Sequence, residues 1–255
     1  MKQSILLWVS AAIITFLIGF IQNRISGTYP TSGTIGIDAQ KVSYHLKKIH
    51  RDKNDYDIII RTDIKDLKGI VKWRRVNENQ MWNSDTLKYL DGILKITIPK
   101  QDPMNEIEYK ITLSHNQEEY FIPSNSYEKI LFVGSVPLSI IIHYYLTLFA
   151  GILLAVRAGL EFFSSKPRLR LHSIFTLISF FACAMIFAPV QKAYEIGAIG
   201  IYVPGVGKIF QVWLVMLVLI WIMNLILISY TKHHKSCVLI STMLTVIIFL
   251  SQNFI

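Results

Sequence analysis

Residues 131–156 read LFVGSVPLSIIIHYYLTLFAGILLAV and contain no Asp, Glu, Lys or Arg. At about 1.5 Å per residue, a helix within such a stretch crosses the roughly 30 Å hydrocarbon core of a bilayer. Similar apolar runs occur elsewhere in the chain, at Ile5–Ile21, Leu171–Val190, Ile209–Ile228 and Cys237–Leu250. The sequence therefore predicts about five transmembrane helices.

The positive charge of the chain is concentrated beside these runs. The chain has 26 Lys/Arg and 17 Asp/Glu, which gives a formal net charge of +9. Residues 27–130 contain 16 Lys/Arg and 15 Asp/Glu, so almost all of the excess lies outside this segment. Basic residues at the ends of apolar runs orient membrane helices, whereas a nucleic-acid-binding domain presents a basic face. We therefore expect a lipid bilayer as a partner, and no nucleic acid.

The short flanks of the runs predict the direction of each crossing. One side carries seven basic residues: Lys2, Arg157, Lys166, Arg168, Arg170, Lys232 and Lys235. The other side carries Arg24, Lys192 and Lys208. The positive-inside rule then places the amino terminus in the cytoplasm, with residues 27–130 and the carboxyl terminus outside. The first run is longer than the apolar part of a signal peptide, so we interpret it as an anchor that is not cleaved.

Between the first two runs, the pattern changes to short alternating or β-branched segments. These are Val42–Leu46, Tyr56–Thr62, Gly69–Val76, Ile93–Pro99, Glu106–Ser114 and Glu119–Ile122. Strands at this spacing, separated by turn residues, are typical of a small all-β sandwich of the immunoglobulin or fibronectin-III type. Trp73, Trp82 and Tyr109 are its expected core aromatics.

The predicted fold class is therefore an α-helical membrane protein with an inserted all-β sandwich domain. The expected domains are an anchor helix at 1–26, an exported sandwich at 27–130 and a four-helix transmembrane region at 131–255. Cys183 and Cys237 both lie in apolar runs, so neither can form a disulfide bond within the sandwich. His45 and His50 are five residues apart and fall on opposite faces of a strand, which disfavours a shared metal. No metal site is predicted, and the sandwich is interpreted as a binding module.

His143, followed by Tyr144, is an ionisable residue within the second apolar run. A small-residue series continues from it through Gly151, Ala155 and Gly159, which allows close packing of helices. His143 is either a packing residue that is hydrogen-bonded to a neighbour, or a functional ligand or proton carrier. A haem with two histidine ligands requires His172 at the same depth, but the two positions differ by well over 10 Å along their helices. Haem is therefore disfavoured unless a partner chain supplies the second ligand. No cofactor is therefore predicted.

Arg157 and Glu161 are one helical turn apart at the cytoplasmic end of the same run, a spacing that suits an ion pair. Three interpretations remain open for this pair. It is an interfacial anchor, a latch against the cytoplasmic loop, or a contact to a lipid headgroup phosphate.

The segment 188–208 joins the third and fourth runs and contains Gln191, Lys192 and Glu195 among several glycines. An apolar, glycine-rich connection either lies at the interface or re-enters the bundle, where neighbouring protein must cover its backbone. The fourth run is bulky throughout, with Trp213 and Trp221, so much of it is expected to face lipid.

Three stretches resemble an uncharacterised family of bacterial inner-membrane proteins with an exported sandwich between the first two helices. They are IGIDAQKVSYHLKKIH at 35–50, RAGLE at 157–161 and APVQKAYEIGA at 188–198. The resemblance implies a shared fold and a location in the bacterial inner membrane, and it implies no activity. Related sequences carry a His-Asp pair after the Pro-x-Gly step, where this chain has Val206-Gly207-Lys208. A site built on that pair would be missing here.

These observations predict a non-catalytic accessory or scaffolding subunit of a larger inner-membrane complex. Its partners would be other membrane-protein subunits, bound through the exported domain. The alternative is a small transporter or channel with polar groups near His143 and the 189–208 segment. A membrane enzyme is a third hypothesis, for which the sequence offers no set of nucleophile, base and orienting residue.

Overall fold

The computed structural model describes residues 2–38, 40–51, 53–76, 81–124 and 126–252. It contains two compact units. The helical unit comprises Met1–Gly27, Val136–Tyr194 and Ala198–Ile255, and the β unit comprises Thr28–Ser135 and Glu195–Gly197.

The helical unit contains seven α-helices in the described part of the chain. They are α1 (Lys2–Ile25), α2 (Leu138–Leu160), α3 (Leu169–Ala182), α4 (Ala188–Glu195), α5 (Val206–Ile209), α6 (Val212–Tyr230) and α7 (His234–Ser251). A 3-10 turn (Glu161–Phe163) extends α2, and a π-helical segment (Cys183–Phe187) joins α3 to α4. Five continuous stretches in the described residues are long and apolar enough to cross a membrane: Gln3–Ile25, Leu138–Phe163, Leu169–Glu195, Val212–Tyr230 and His234–Ser251. The predicted number of long apolar helices is therefore confirmed.

Small residues allow α2 to approach its neighbours closely. A Cβ atom on Gly151 would lie 2.6 Å from the ring of Phe180 in α3. One on Gly159 would lie 2.8 Å from Thr242 in α7, whose hydroxyl donates to the Ala155 carbonyl at 2.8 Å. The predicted packing role of this glycine and alanine series is confirmed.

The interior of the helical unit also contains the aromatic residues of α6. Trp213 is 7% exposed and Trp221 is fully buried. The indole N–H of Trp221 donates to the Thr245 hydroxyl of α7 at 3.0 Å, and Asn224 donates to Ser173 of α3 at 3.0 Å. These tryptophans and the one amide of α6 therefore pack against α3 and α7, whereas Val212, Leu219 and Met223 of the same helix are more than half exposed.

The β unit contains ten strands among the described residues. They are β1 (Thr31–Ile37), β2 (Gln40–Leu46), β3 (Ile49–His50), β4 (Tyr56–Arg61), β5 (Lys68–Arg75), β6 (Asn83–Leu90), β7 (Ile93–Ile98), β8 (Glu106–His115), β9 (Glu118–Ile122) and β10 (Glu128–Phe132). The six strands predicted from alternation correspond to β2, β4, β5, β7, β8 and β9. The strands β1, β3, β6 and β10 were not predicted.

The predicted fold class is wrong. The protein is a mixed α/β chain in which one ten-stranded curled sheet is followed by most of the helices, and the β unit is not a sandwich inserted into a helical protein. The strand order is β1-β2-β4-β7-β6-β5-β8-β10-β3, with β9 paired to β8. The reason lies in β6, which pairs with β5 through Asn83–Leu87 and with β7 through Lys88–Leu90. A strand shared in this way joins the two halves into a single sheet that curls around its core.

The core of the β unit follows from the alternation of its strands. In β4, Tyr56, Ile58 and Ile60 are buried while the residues between them are exposed. In β8, the buried residues alternate with partly buried ones: Ile107, Tyr109, Ile111 and Leu113. Trp73 is partly buried against this core, as predicted. Trp82 does not belong to it, because its ring stacks on Tyr127 at 4.9 Å and lies under Arg74.

Candidate functional site

A buried ion pair lies at the end of α2. Arg157 is 3% exposed and Glu161 is 2% exposed, and Arg157 Nη1 lies 2.7 Å from Glu161 Oε1. Burying a lone charge is strongly unfavourable, so such residues occur in the interior when an opposite charge accompanies them. The structure therefore brings together two of the residues that the sequence singled out.

Glu161 also connects this helix end to the start of α3. Its Oε2 accepts a hydrogen bond from the backbone N–H of Arg168 at 3.1 Å. The buried His172 has its Nδ1 3.5 Å from Glu161 Oε1, beyond good hydrogen-bond geometry. The carboxylate therefore holds the connection between α2 and α3 near the guanidinium.

Trp8 of α1 covers the same guanidinium. The Arg157 Cζ atom lies 5.3 Å from the centroid of the Trp8 ring, a cation–π distance. The ring of Trp8 meets His172 edge-on at 5.9 Å. Within the described residues, Arg157 Nε and His172 Nδ1 are buried without a hydrogen-bond partner, whereas Arg157 Nη1 is paired with Glu161. Arg157 thus retains donor capacity beyond its ion pair with Glu161.

A cavity of about 670 Å³ opens beside this cluster. Its polar lining contains Gln3, Ser4, Arg157, Glu161, Ser164, Ser165, Lys166, Arg168 and His172. Its apolar lining contains Trp8, Leu154, Leu171 and Phe175. Both α1 and α3 pack on α2, so the cavity is a cleft between α1 and α3 with α2 as its floor. The lining of the cleft therefore combines basic and polar side chains with apolar ones.

His143 and Tyr144 lie elsewhere on α2, about 21 Å from Arg157 along the helix axis at 1.5 Å per residue. His143 is exposed, donates from Nδ1 to the Ser139 carbonyl at 2.7 Å, and stacks on Phe187 at 5.3 Å. Tyr144 is 7% exposed, and its carbonyl accepts a hydrogen bond from Thr147. The structure thus places His143 in contact with its own helix turn and with the π-helical segment.

The three candidates of the 188–208 segment lie on α4. Gln191 and Lys192 are half-buried in the helical unit. Glu195 belongs to the β unit, where its carboxylate lies 3.6 Å from Arg51 Nη2 and its carbonyl accepts the Gly134 N–H at 2.7 Å. Residues 199–205 contain turns and irregular backbone before the short α5.

A second cavity, of about 750 Å³, lies in the β unit. It forms where β2 and β4 diverge, since these strands pair only through Ser43–Arg61 and Tyr44–Ile60. Its lining is mainly polar: Ser32, Ser43, Tyr44, His45, Lys47, His50, Asn54, Asp55, Tyr56, Asp57, Ile59 and Arg61. His45 and Ser32 share a hydrogen bond of 2.7 Å, and His50 Nε2 donates to the Asn54 carbonyl at 2.7 Å.

Burial and hydrogen bonds shift the pKa values of residues in and near this second cavity. Burial raises the pKa of Tyr56 and of its neighbour Tyr109, which keeps both phenols protonated at neutral pH. Hydrogen bonds from Lys95 and Thr97 lower the pKa of Asp57, which is therefore ionised. Across the described ranges, no group of three His, Cys, Asp or Glu side chains is placed to hold a metal ion.

Sequence reasoning missed Trp8, Arg168 and His172 as neighbours of the ion pair. Local spacing predicts contacts within one helix, and these residues come from α1 and from the start of α3. The basic cluster Lys166, Arg168 and Arg170 was the available signal, although the sequence analysis used it only for orientation.

Comparison with known proteins adds little to these observations. No family model matches the chain, and no curated protein matches it. One similar solved structure is the crystal structure of the Br derivative of BhCBM56, at 12% sequence identity and a TM-score of 0.25. The match covers 42% of this chain and 95% of that chain. A likeness at this TM-score supports no statement about function, and the resemblance to a bacterial membrane family stays a prediction.

Proposed function

We propose that the protein is a membrane-spanning accessory subunit whose β unit binds a partner protein through the outer edge of β1. The single observation that carries this proposal is the composition and position of β1. It stands at one end of the strand order, so one of its edges has no neighbouring strand in the described part of the chain. Its sequence, TSGTIGI, contains no charged residue and no proline.

An open strand edge presents unpaired N–H and C=O groups to any extended peptide. Natural proteins blunt such edges with lysine, proline, bulges or very short strands, because an open edge promotes aggregation. The seven residues of β1 include no lysine, no other charged residue and no proline. An edge of this kind suits a partner that adds a strand, with backbone hydrogen bonds supplying the affinity.

The surface of the helical unit supports a membrane location. Phe16, Leu146 and Ile247 are 60% or more exposed, while Asn224 and Thr245 are fully buried. Apolar side chains outside and polar side chains inside suit a hydrocarbon solvent, whereas in water so much exposed apolar surface would promote association. With the basic flanks in the cytoplasm of a bacterium, the β unit lies outside the inner membrane.

Site-specific photo-crosslinking in intact membranes tests the partner. A photoreactive amino acid is placed at Thr34 in β1 or, as the matched control, at Ile70 in β5. Both side chains are exposed, but Ile70 pairs with Thr86 of β6 on one side and with Thr112 of β8 on the other. We expect one adduct of defined mass from position 34 and none from position 70. Equal labelling at both positions, or no adduct from either, would overturn the assignment to β1.

A paired substitution tests the same edge without a label. Thr34→Lys places a positive charge beside the open edge, and Ile70→Lys places the same charge on a strand that is paired on both sides. We expect Thr34→Lys to abolish co-purification of the crosslinked partner, and Ile70→Lys to leave it unchanged. Carbonate extraction of the membranes tests the other half of the proposal, since a chain released into the soluble fraction does not span them.

The geometry does not favour the small-transporter alternative. That hypothesis expects polar groups around His143 to line a water-filled cavity. His143 is exposed and stacks on Phe187, and the linings of the two cavities described above do not include it.

A further inference from the structure

The lining of the cleft between α1 and α3 combines the two kinds of side chain that a phospholipid requires. Lys166 and Arg168 are exposed, and the buried Arg157 contributes an Nε–H that lacks an acceptor among the described residues. The apolar lining residues Leu171 and Phe175 are 46% and 49% exposed.

The charges that line the cleft favour an anion. Glu161 is its one acidic lining residue within the described chain, against three arginine and lysine side chains. The guanidinium of Arg157 has five N–H donors, and its ion pair with Glu161 uses only part of them. Arginine donors arranged in this way match the oxygen atoms of a phosphate group.

The position of the cleft along the helices matches the depth of lipid headgroups. The distance along the helix axis from Leu138, where α2 begins, to Arg157 is about 28 Å, which is close to the full thickness of a bilayer core. The basic residues Lys166 and Arg168 come after the end of α2 in the chain. A volume of about 670 Å³ falls in the range of small-ligand sites, which is roughly 300–1,000 Å³.

We propose that this cleft binds the phosphate group of an anionic phospholipid, with an acyl chain lying along Leu171 and Phe175. Arg157, Lys166 and Arg168 hold the phosphate, and Trp8 closes the cleft over the guanidinium. The proposal rests on the membrane location argued above and is independent of the partner at β1.

Native mass spectrometry of the full-length chain, released from detergent, tests this binding. The probes are dioleoyl-phosphatidylglycerol, which is anionic, and dioleoyl-phosphatidylcholine, which has the same acyl chains and no net charge. We expect the chain to retain one phosphatidylglycerol with at least about tenfold preference over phosphatidylcholine. Equal retention of the two lipids would overturn the proposal.

Two double variants separate the cleft from the general charge of this helix end. Lys166→Gln/Arg168→Gln removes two positive charges that line the cleft, and Arg170→Gln/Lys232→Gln removes two exposed charges that are not among its lining residues. We expect the first variant to weaken phosphatidylglycerol retention by about tenfold or more, because each basic residue near an anionic headgroup adds to the attraction. The second should retain the lipid as the native chain does. Equal losses in both variants would contradict a site in the cleft.

A further arm distinguishes a lipid from a soluble phosphate source. Inorganic phosphate at millimolar concentration is added to the phosphatidylglycerol complex. We expect the lipid to stay bound, because its acyl chain contributes apolar contacts that free phosphate lacks. Displacement by inorganic phosphate would show that the cleft takes a soluble phosphate and would overturn the lipid assignment. Failure of the carbonate extraction test would instead remove the membrane location, so the two failures are distinguishable.

Discussion

Replacing Arg157 tests whether the buried ion pair stabilises the helical unit. The substitution Arg157→Gln keeps much of the side-chain length and leaves the carboxylate of Glu161 buried without its cation. Removing one partner of a buried ion pair destabilises a protein by about 3–5 kcal/mol. The backbone N–H of Arg168 still donates to Glu161 at 3.1 Å, so we expect the lower end, about 3 kcal/mol.

A double-mutant cycle isolates the interaction between the two charges. Glu161→Gln keeps an oxygen that can accept the Arg168 N–H, but leaves the guanidinium without an anion. In Arg157→Gln/Glu161→Gln neither charge is buried, so the loss should be smaller than the sum of the single losses. We expect a coupling energy of about 2 kcal/mol or more, near the upper part of the range for residues in contact.

Unfolding of the full chain in mixed detergent micelles with a rising fraction of SDS supplies the free energies. Tryptophan fluorescence follows the reaction, because Trp8, Trp213 and Trp221 belong to the helical unit. Lys232→Gln, at an exposed position, is the control and should change stability by less than about 0.5 kcal/mol. Additive losses, or single variants within about 1 kcal/mol of the native chain, would refute the reasoning.

Two further predictions test the packing of each unit by the same unfolding measurement. Gly159→Ala should destabilise the helical unit by about 1–3 kcal/mol, because its Cβ would lie 2.8 Å from Thr242, whereas Gly207→Ala, with open space around it, should be neutral. Equal effects of the two would contradict close packing at α2. Ile60→Ala should destabilise the β unit by about 2–5 kcal/mol, and the adjacent Ile59→Ala, at 40% exposure, by much less. The reverse order would mean that the strand presents its other face to the core.

Hydropathy and alternation predicted the elements well where each element carries its own pattern. The apolar helices were evident because a spanning helix needs about twenty consecutive apolar residues. β4 and β8 were evident because their buried residues alternate with exposed residues in β4 and with partly buried residues in β8. By contrast, β6 begins with Asn83-Ser84-Asp85-Thr86, which has no apolar alternation, so it was missed.

The missing strand is the reason that the fold class was wrong. Without β6, the remaining strands fall into two groups that suggest two packed layers. With it, the groups share one strand and form one curled sheet. Pairing between strands depends on contacts between distant parts of the chain, and such partners cannot be read from a local pattern.

The candidate site was predictable only in part. The i, i+4 spacing predicted the ion pair of Arg157 and Glu161, because helix geometry alone brings those side chains together. It did not predict Trp8, which α1 contributes from a distant part of the sequence. Nor did it predict the burial of Trp221, since α6 is apolar on every side and hydropathy cannot distinguish its inner face from its outer face.

The sequence by itself determined the number of long apolar helices, most of the strands and the ion pair of Arg157 and Glu161, because each follows from periodicity within one element. Tertiary structure alone decided the pairing of the strands into one sheet, the inner face of α6, the open edge of β1 and the cleft between α1 and α3. Each of these arises where separate elements meet, and the free energy of packing them depends on shape and contacts between residues far apart in the chain.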